Sequence, residues 1–453
     1  MPKLCLLCGL HAAALALVAT TATAQLSPPA GPVSPTEKPL GEVEPRTAID
    51  PADLPVVIKS AGSYYLTGGY THRSSTGTTP AILVEASDVR IDLMGFTMVG
   101  RLADADGVAG PIVGLHAIQL APDVERVRIR NGGMTGWSGS AVHSDGRNGS
   151  CVLEDLQIDE AGDLELFPSV MLGDDARVRD VTISGGPGAG LVADGGVFDR
   201  VVVHGCEGDG FVINDGAVLR GCHAEGNAAG IIVGGSGVLD SCGAHDNRGS
   251  GIVGGVGMTV SDCGASGNGG TGIRVLTGST LTGCNAEGNS SDGISVGSGS
   301  TVIGCNARNN EVHGIVTGDD AQVRHCNADS NRIHGIVTGA RCHITDNHAS
   351  NSGRGSDQGR SGIGNWPTGI RALGTDCVIE RNLTTRNRYG WVGEGGAGFT
   401  QIVINNKSIR DVRGCGAYTG AGSTTGAQLT QTGLIQTFSP YVNFCLKAGE
   451  PDP

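Results

Sequence analysis

The stretch Cys284-Asn285-Ala286-Glu287-Gly288-Asn289, closed by Gly293-Ile294, is followed by Cys305-Asn306-Ala307-Arg308-Asn309-Asn310 with Gly314-Ile315. Next comes Cys326-Asn327-Ala328-Asp329-Ser330-Asn331 with Gly335-Ile336. The same word runs back through Cys222, Cys242 and Cys263. Its asparagines are Asn227, Asn247, Asn268, Asn289, Asn310 and Asn331. A word recurring about every 21 residues describes a stacked solenoid in which each repeat packs only on its neighbours.

A helical repeat would need longer amphipathic stretches. This chain holds 77 glycines and short β-branched runs, and no 3.6-residue stripe survives. About 21 residues wind one turn of an all-β, right-handed parallel β-helix solenoid from three short strands and three bends. Like positions then stack ~4.8 Å apart. The Cys and Ile columns are expected to point inward. The Asn column is expected at a bend, its amides bonding up and down the stack. Val201, Val181, Leu156, Val127 and Val89 fit the Cys column upstream, and Asn347, Asn382 and Asn406 fit it downstream. Cys206 takes the Asn place one rung before Asn227, and Phe211 the Ile place.

These features resemble the right-handed parallel β-helix repeat superfamily of pectate lyases, polygalacturonases, alginate lyases and epimerases, phage tailspikes and secreted bacterial proteins. Ala61-Gly62-Ser63-Tyr64-Tyr65-Leu66 resembles the opening segment of secreted members, and Ser439-Pro440-Tyr441-Val442-Asn443-Phe444 their closing segment. The resemblance implies fold and a carbohydrate-acting context. The enzyme families' own words are missing. Of the polygalacturonase set only Asp-Asp appears, at Asp174-Asp175 and Asp319-Asp320, and both pairs occupy one repeated turn. Fold alone does not assign activity.

Residues 1–24 read as a secretory signal ending at Ala22-Thr23-Ala24, which places the mature chain outside the cytoplasm, secreted, periplasmic or at the cell surface. Residues 25–55 read as a Pro-rich linker, 56–410 as the solenoid with its N-terminal segment, and 411–453 as a C-terminal cap. No later stretch suits a membrane span. A net charge of -14 argues against a nucleic-acid partner. Residues 332–413, with eleven Lys and Arg against six Asp and Glu, could meet an anionic polysaccharide. Cysteines in register read as small buried hydrophobes rather than a disulfide framework. Cys342 and Cys377 should be rung neighbours with awkward bridge geometry, and Cys415 and Cys445 lie near the cap. No Cys-x-x-Cys suggests structural zinc.

Function on a solenoid sits in loops that leave the rung. By register the insertions fall at about 100–114, 133–140, 160–169, 353–367 and 388–397, all on one edge. They carry Trp137, Trp366, Trp391 and Tyr389, which are expected to stack on sugar rings or else to plug loop bases. The residue before the Gly-Ile pair reads Thr271, Asp292, His313, His334 on successive rungs. Two residues earlier the column reads Ser290, Glu311, Arg332. The 353–367 loop adds Arg354, Asp357 and Arg360. A lyase needs an arginine on a uronate carboxylate and a base for the adjacent proton. That assigns catalysis to His313, His334, Arg354 and Asp292, and substrate binding to Glu311, Arg332, Arg360 and the aromatic residues. A hydrolase would pair Asp292 with Glu311 or Asp357 across a groove. A divalent metal on Asp292, His313 and His334 is a third arrangement, with no cofactor firmly implied. A plain polar turn column is the fourth, in an exported solenoid without catalysis.

Overall fold

A computed structural model of the chain describes residues 46–72, 79–100, 114–144, 149–163, 166–353, 368–394 and 402–411. Four short strands follow, at Tyr418–Thr419, Thr424–Thr425, Gln428–Thr430 and Asn443–Lys447. All strand pairing is parallel. One strand of each rung stacks into a 16-stranded sheet, and the other two form ladders joined into a 31-stranded sheet. The result is an all-β parallel solenoid with about 21 residues per turn.

One rung shows why these residues bend where they do. Thr280–Thr282, Asn285–Glu287 and Ile294–Val296 are its three strands. Gly283, before Cys284, has φ 66°, and Gly288, before Asn289, has φ 65°. On other rungs Asp246, Asn309 and Ser330 fill the same left-handed bend. Glycine, asparagine and aspartate tolerate that region best, which fixes the composition of the bends. Gly293 answers a different need. A Cβ there would stand 2.5 Å from Asn310 Nδ2 and 2.8 Å from the Gly314 carbonyl oxygen, so no side chain fits between rungs.

The interior is filled by columns. Cys222, Cys242, Cys263, Cys284, Cys305 and Cys326 are all buried, and the ten cysteines from Cys151 to Cys377 are free thiols. Cys326 is followed in its column by Asn347, whose Oδ1 accepts from the Cys326 N–H at 2.9 Å. Asn382 and Asn406 continue it. The stack thus exchanges a thiol column for a second asparagine ladder. Cys342 and Cys377 are rung neighbours, and the Cys342 N–H donates to Cys377 Sγ at 3.4 Å without a disulfide. Cys415 lies outside the described residues.

The main ladder bonds each rung to two others. Asn289 Nδ2 donates to the Ala265 carbonyl of the rung before at 3.1 Å and to Asn310 Oδ1 of the rung after at 3.0 Å. Its Oδ1 accepts from the Asn268 N–H at 3.1 Å and from Asn268 Nδ2 at 2.9 Å. Upstream, Cys206 takes the ladder place, its N–H donating to Asn227 Oδ1 at 2.9 Å. Downstream come Ser352, Asn387 and Asp411, the last two joined by the Asn387 N–H on Asp411 Oδ1 at 2.7 Å. Both ladders are buried, so their amides replace water for backbone groups that a bend leaves open.

Three sequence readings need correction. Leu156, Val181 and Val201 do lie in the Cys column, but Val127 pairs with Cys151, and Val89 precedes it. That is a second inward column, ending at Cys342 and Cys377. Both columns share the nine-residue strands Val127–Thr135, Cys151–Asp159 and Ala176–Ser184, which hides the offset from the sequence. The ladder also begins before residue 56, because Thr47–Ile49 already pairs with Tyr64–Leu66. Finally, the connection through residues 133–140 has the ordinary length between strands, and the described part of 388–397 includes the regular strand Tyr389–Glu394. The reading of Asp174-Asp175 and Asp319-Asp320 as one turn agrees with the geometry: Asp175 and Asp320 share a positive φ of 52° and 57°.

Candidate functional site

The polar column before the Gly-Ile pair is a true stack. His313 pairs with His334 across neighbouring rungs, and Thr368 pairs with Tyr389 further on. The two imidazoles lie nearly parallel, 4.9 Å between centroids and 13° between planes. Asp292 stands one rung earlier, its Oδ1 accepting the His313 N–H at 3.1 Å. Asp292, His313 and His334 are therefore brought together as the register requires.

His334 is 1% exposed and bonded on both sides. Its Nδ1 accepts from the Thr368 N–H at 3.0 Å and lies 2.8 Å from Thr368 Oγ1. A backbone N–H only donates, so Nδ1 carries no proton and a neutral His334 carries it on Nε2. Nε2 faces Arg371 Nη1 at 3.0 Å, and a guanidinium also only donates. Two donors thus face each other. Burial, then the neighbouring His313 and the Arg371 charge, depress the His334 pKa to about 3. Burial also lowers the His313 pKa, with Asp292 opposing and Arg371 assisting. Both rings are neutral at neutral pH. His313 is half-buried, its Nδ1 buried without a hydrogen-bond partner.

Arg371 was not picked out from sequence. It lies in the strand Thr368–Ala372, paired with Val337 and Val392, and is 9% exposed. Alternation about the inward Ile370 would have put it on the outer face, but an arginine reads as solvated by default. A second histidine stack was also missed. His116 and His143 lie 4.2 Å apart at 16°, with the Phe167 edge against both. His116 stands two residues before Ile118, as His313 stands two before Ile315.

The other sequence candidates divide clearly. Glu311 and Arg332 do sit on neighbouring rungs, but they bond each other at 2.7 Å with both side chains 57% exposed. Trp137 is wholly buried, its indole N–H donating to the Met98 carbonyl at 3.0 Å and its ring stacked on Tyr70. Trp391 is wholly buried in the Ile column, paired with Ile370. Neither ring faces solvent, so both are core and not sugar platforms. Tyr389 is half-buried. Arg354, Asp357, Arg360 and Trp366 lie outside the described residues. The metal arrangement fails on the donor set, because His334 Nδ1 is taken by the Thr368 N–H and the Arg371 guanidinium stands 3.0 Å from Nε2, where a second cation would be repelled. Among the described residues no group of three could hold a metal ion. Two clefts of about 170 and 280 Å³ lie on the N-terminal rungs, away from the histidine column.

Comparison with known proteins identifies the class. Residues 229–349 match a family model described as the right handed beta helix region, which gives the solenoid its hand. Among curated proteins no match is found. Among solved structures, the A-module of a mannuronan C-5 epimerase from Azotobacter vinelandii is 13% identical, covers 86% of this chain and 92% of its own, and has a TM-score of 0.29. Gene product 12 of bacteriophage phi29 is 11% identical, with 83% and 64% covered and a TM-score of 0.41. A DFA-IIIase from Arthrobacter chlorophenolicus is 13% identical, with 78% and 85% covered and a TM-score of 0.24. These likenesses carry no argument about activity. No helix among the described residues is long and apolar enough to cross a membrane.

Proposed function

We propose that this is an exported protein that binds an anionic polysaccharide at the Asp292–His313–His334–Arg371 column and cleaves it by elimination. The observation that supports the reading is the His334 Nε2–H facing Arg371 Nη1 at 3.0 Å. A guanidinium and an imidazole N–H that converge make a place for a carboxylate oxygen, which would accept from both. His313 lies beside them as a neutral imidazole, with Asp292 behind it.

The chemistry then follows from the substrate. A uronate carboxylate held by Arg371 and His334 acidifies the carbon beside it. His313 takes that proton, the electron pair forms the carbon–carbon double bond, and the glycosidic carbon–oxygen bond breaks. The proton on His313 passes to the leaving oxygen, which restores the neutral ring. Asp292 stabilises the transient imidazolium. A non-catalytic solenoid is the rival, and the pinned geometry of His334 fits it too.

Calorimetric titration with oligogalacturonate and oligomannuronate tests the binding half. Arg371→Ala should weaken the preferred oligomer roughly tenfold or more, by removing a charged hydrogen bond. Equal binding by the variant and the parent would sink the site.

A further inference from the structure

A second anion site lies at the other end of the solenoid. The outer face of the first rungs carries two stacked columns. One reads Ser63, Arg90, Arg128, Val152, Arg177, and the other Tyr65, Asp92, Arg130, Glu154, Arg179. Arg46 joins them, its guanidinium 4.7 Å over the Tyr65 ring. The two columns and Arg46 hold six arginines and two carboxylates, with Asp88 beside Arg90 and Asp180 3.5 Å from Arg179 at the bends, on a chain of net charge -14.

The carboxylates are fully committed. Asp92 is held by Arg130 at 2.8 Å, by Asn131 at 3.1 Å and by Arg46 at 3.7 Å. Glu154 bonds Arg128 and lies 3.4 Å from Arg179. Arg90 and Arg177 hold no carboxylate of their own among the described residues, and both are exposed. A cleft of about 170 Å³ opens here, lined by Arg46, Arg90, Arg128, Arg130, Asp92 and Tyr64. The half-buried Tyr65, in the outer column, holds its ring beneath the Arg46 guanidinium, whereas Tyr64 packs against the core.

We propose that this arginine face is a docking site for a linear anionic polysaccharide lying along the solenoid axis. Arg90 and Arg128 are paired on neighbouring rungs, so parallel stacking sets their Cα atoms a step of ~4.8 Å apart. A ladder of planar forks suits carboxylate or sulfate groups repeated along a chain, and the Tyr65 ring beside them suits a sugar ring rather than a bare phosphate. The site shares no residue with the histidine column and stands whether or not that column is catalytic. It would hold a long polymer while leaving the column free to work on it.

The test uses the full chain carrying His313→Ala, so that failure here and failure at the column are separable. Binding of fluorescently labelled polygalacturonate, heparin and dextran is measured by anisotropy. The same background with Arg90→Glu and Arg177→Glu is compared, and then Arg90→Gln and Arg177→Gln. Circular dichroism and melting check the fold, since both arginines are exposed. The expected result is binding of at least one anionic polymer and none of dextran, weakened by salt. The charge-reversed variant should lose roughly tenfold or more in affinity, and the glutamine variant an intermediate amount. Unchanged affinity in both variants overturns the proposal. So does tighter binding of phosphatidylglycerol vesicles or duplex DNA than of every anionic polysaccharide.

Discussion

Removing one ladder asparagine should cost an amount set by its place in the ladder. Asn289 makes four side-chain bonds: to the Ala265 carbonyl, to Asn310 Oδ1, and from both Asn268 nitrogens. Asn331 makes three, to the Ala307 carbonyl and from both Asn310 nitrogens. Asn227 makes two, to the Val203 carbonyl and from the Cys206 N–H. Each buried bond is worth about 1 kcal/mol net. Replacement by alanine should therefore destabilise by about 2 kcal/mol at Asn227, about 3 at Asn331 and about 4 at Asn289. Guanidinium unfolding of the three variants measures the order, with the slope checked for constancy because solenoids can unfold in parts. Amide exchange gives a local control. In Asn289→Ala the Asn268 N–H loses its acceptor and should exchange faster. The Asn310 N–H, which donates to Asn331 Oδ1, should stay protected. Equal losses at all three positions would refute the ladder as the source of stability and leave only a bend preference.

The histidine pair predicts a pH dependence. Both rings have folded pKa values below the ordinary 6.5. The unfolded chain then binds protons that the folded chain refuses, so stability is full above pH 6.5 and falls as pH drops toward about 3. His334→Gln should flatten the decline between pH 6.5 and 5; an unchanged slope would contradict the burial argument. The thiol column should resist chemistry: Cys263, Cys284 and Cys305 should stay unlabelled by a thiol reagent in the native protein, and rapid labelling would contradict their packing. Trp391→Ala should cost about 3–5 kcal/mol through the cavity it leaves, with no gain in ligand binding. A variant melting like the parent would show that the ring is not core.

The repeat made the fold legible because it reports the same contact many times. Cys, Asn and Gly-Ile each name a column, and the register they imply is the one observed from Asn227 to Asn406. Even the exchange of thiols for Asn347 and Asn382 follows from spacing alone. Legibility failed where one residue had to be judged without a column. Trp391 stands after Gly390 in the place of isoleucine, and the pattern outranked the residue's usual surface role. Trp137 sits at a bend where earlier rungs lack an asparagine, so nothing in the word marked it as buried. The asparagine rule also lapses in the nine-residue strands, which is why Val127 and Val89 moved to the other column. At the candidate site, His313 and His334 were readable because they repeat at rung spacing. Arg371 was not, because its burial depends on what covers the sheet.

The central functional claim rests on His313 acting beside a carboxylate held by Arg371 and His334. The direct measurement is product formation from polygalacturonate, polymannuronate and related uronate polymers, followed by the ultraviolet absorbance of the unsaturated ends. The account predicts that the parent chain raises the absorbance on at least one uronate polymer. His313→Ala should abolish the rise while keeping the melting curve, and neutral glucans should give no signal. A parent chain that leaves every uronate polymer unchanged, or a His313→Ala variant that turns over as fast as the parent, would contradict it.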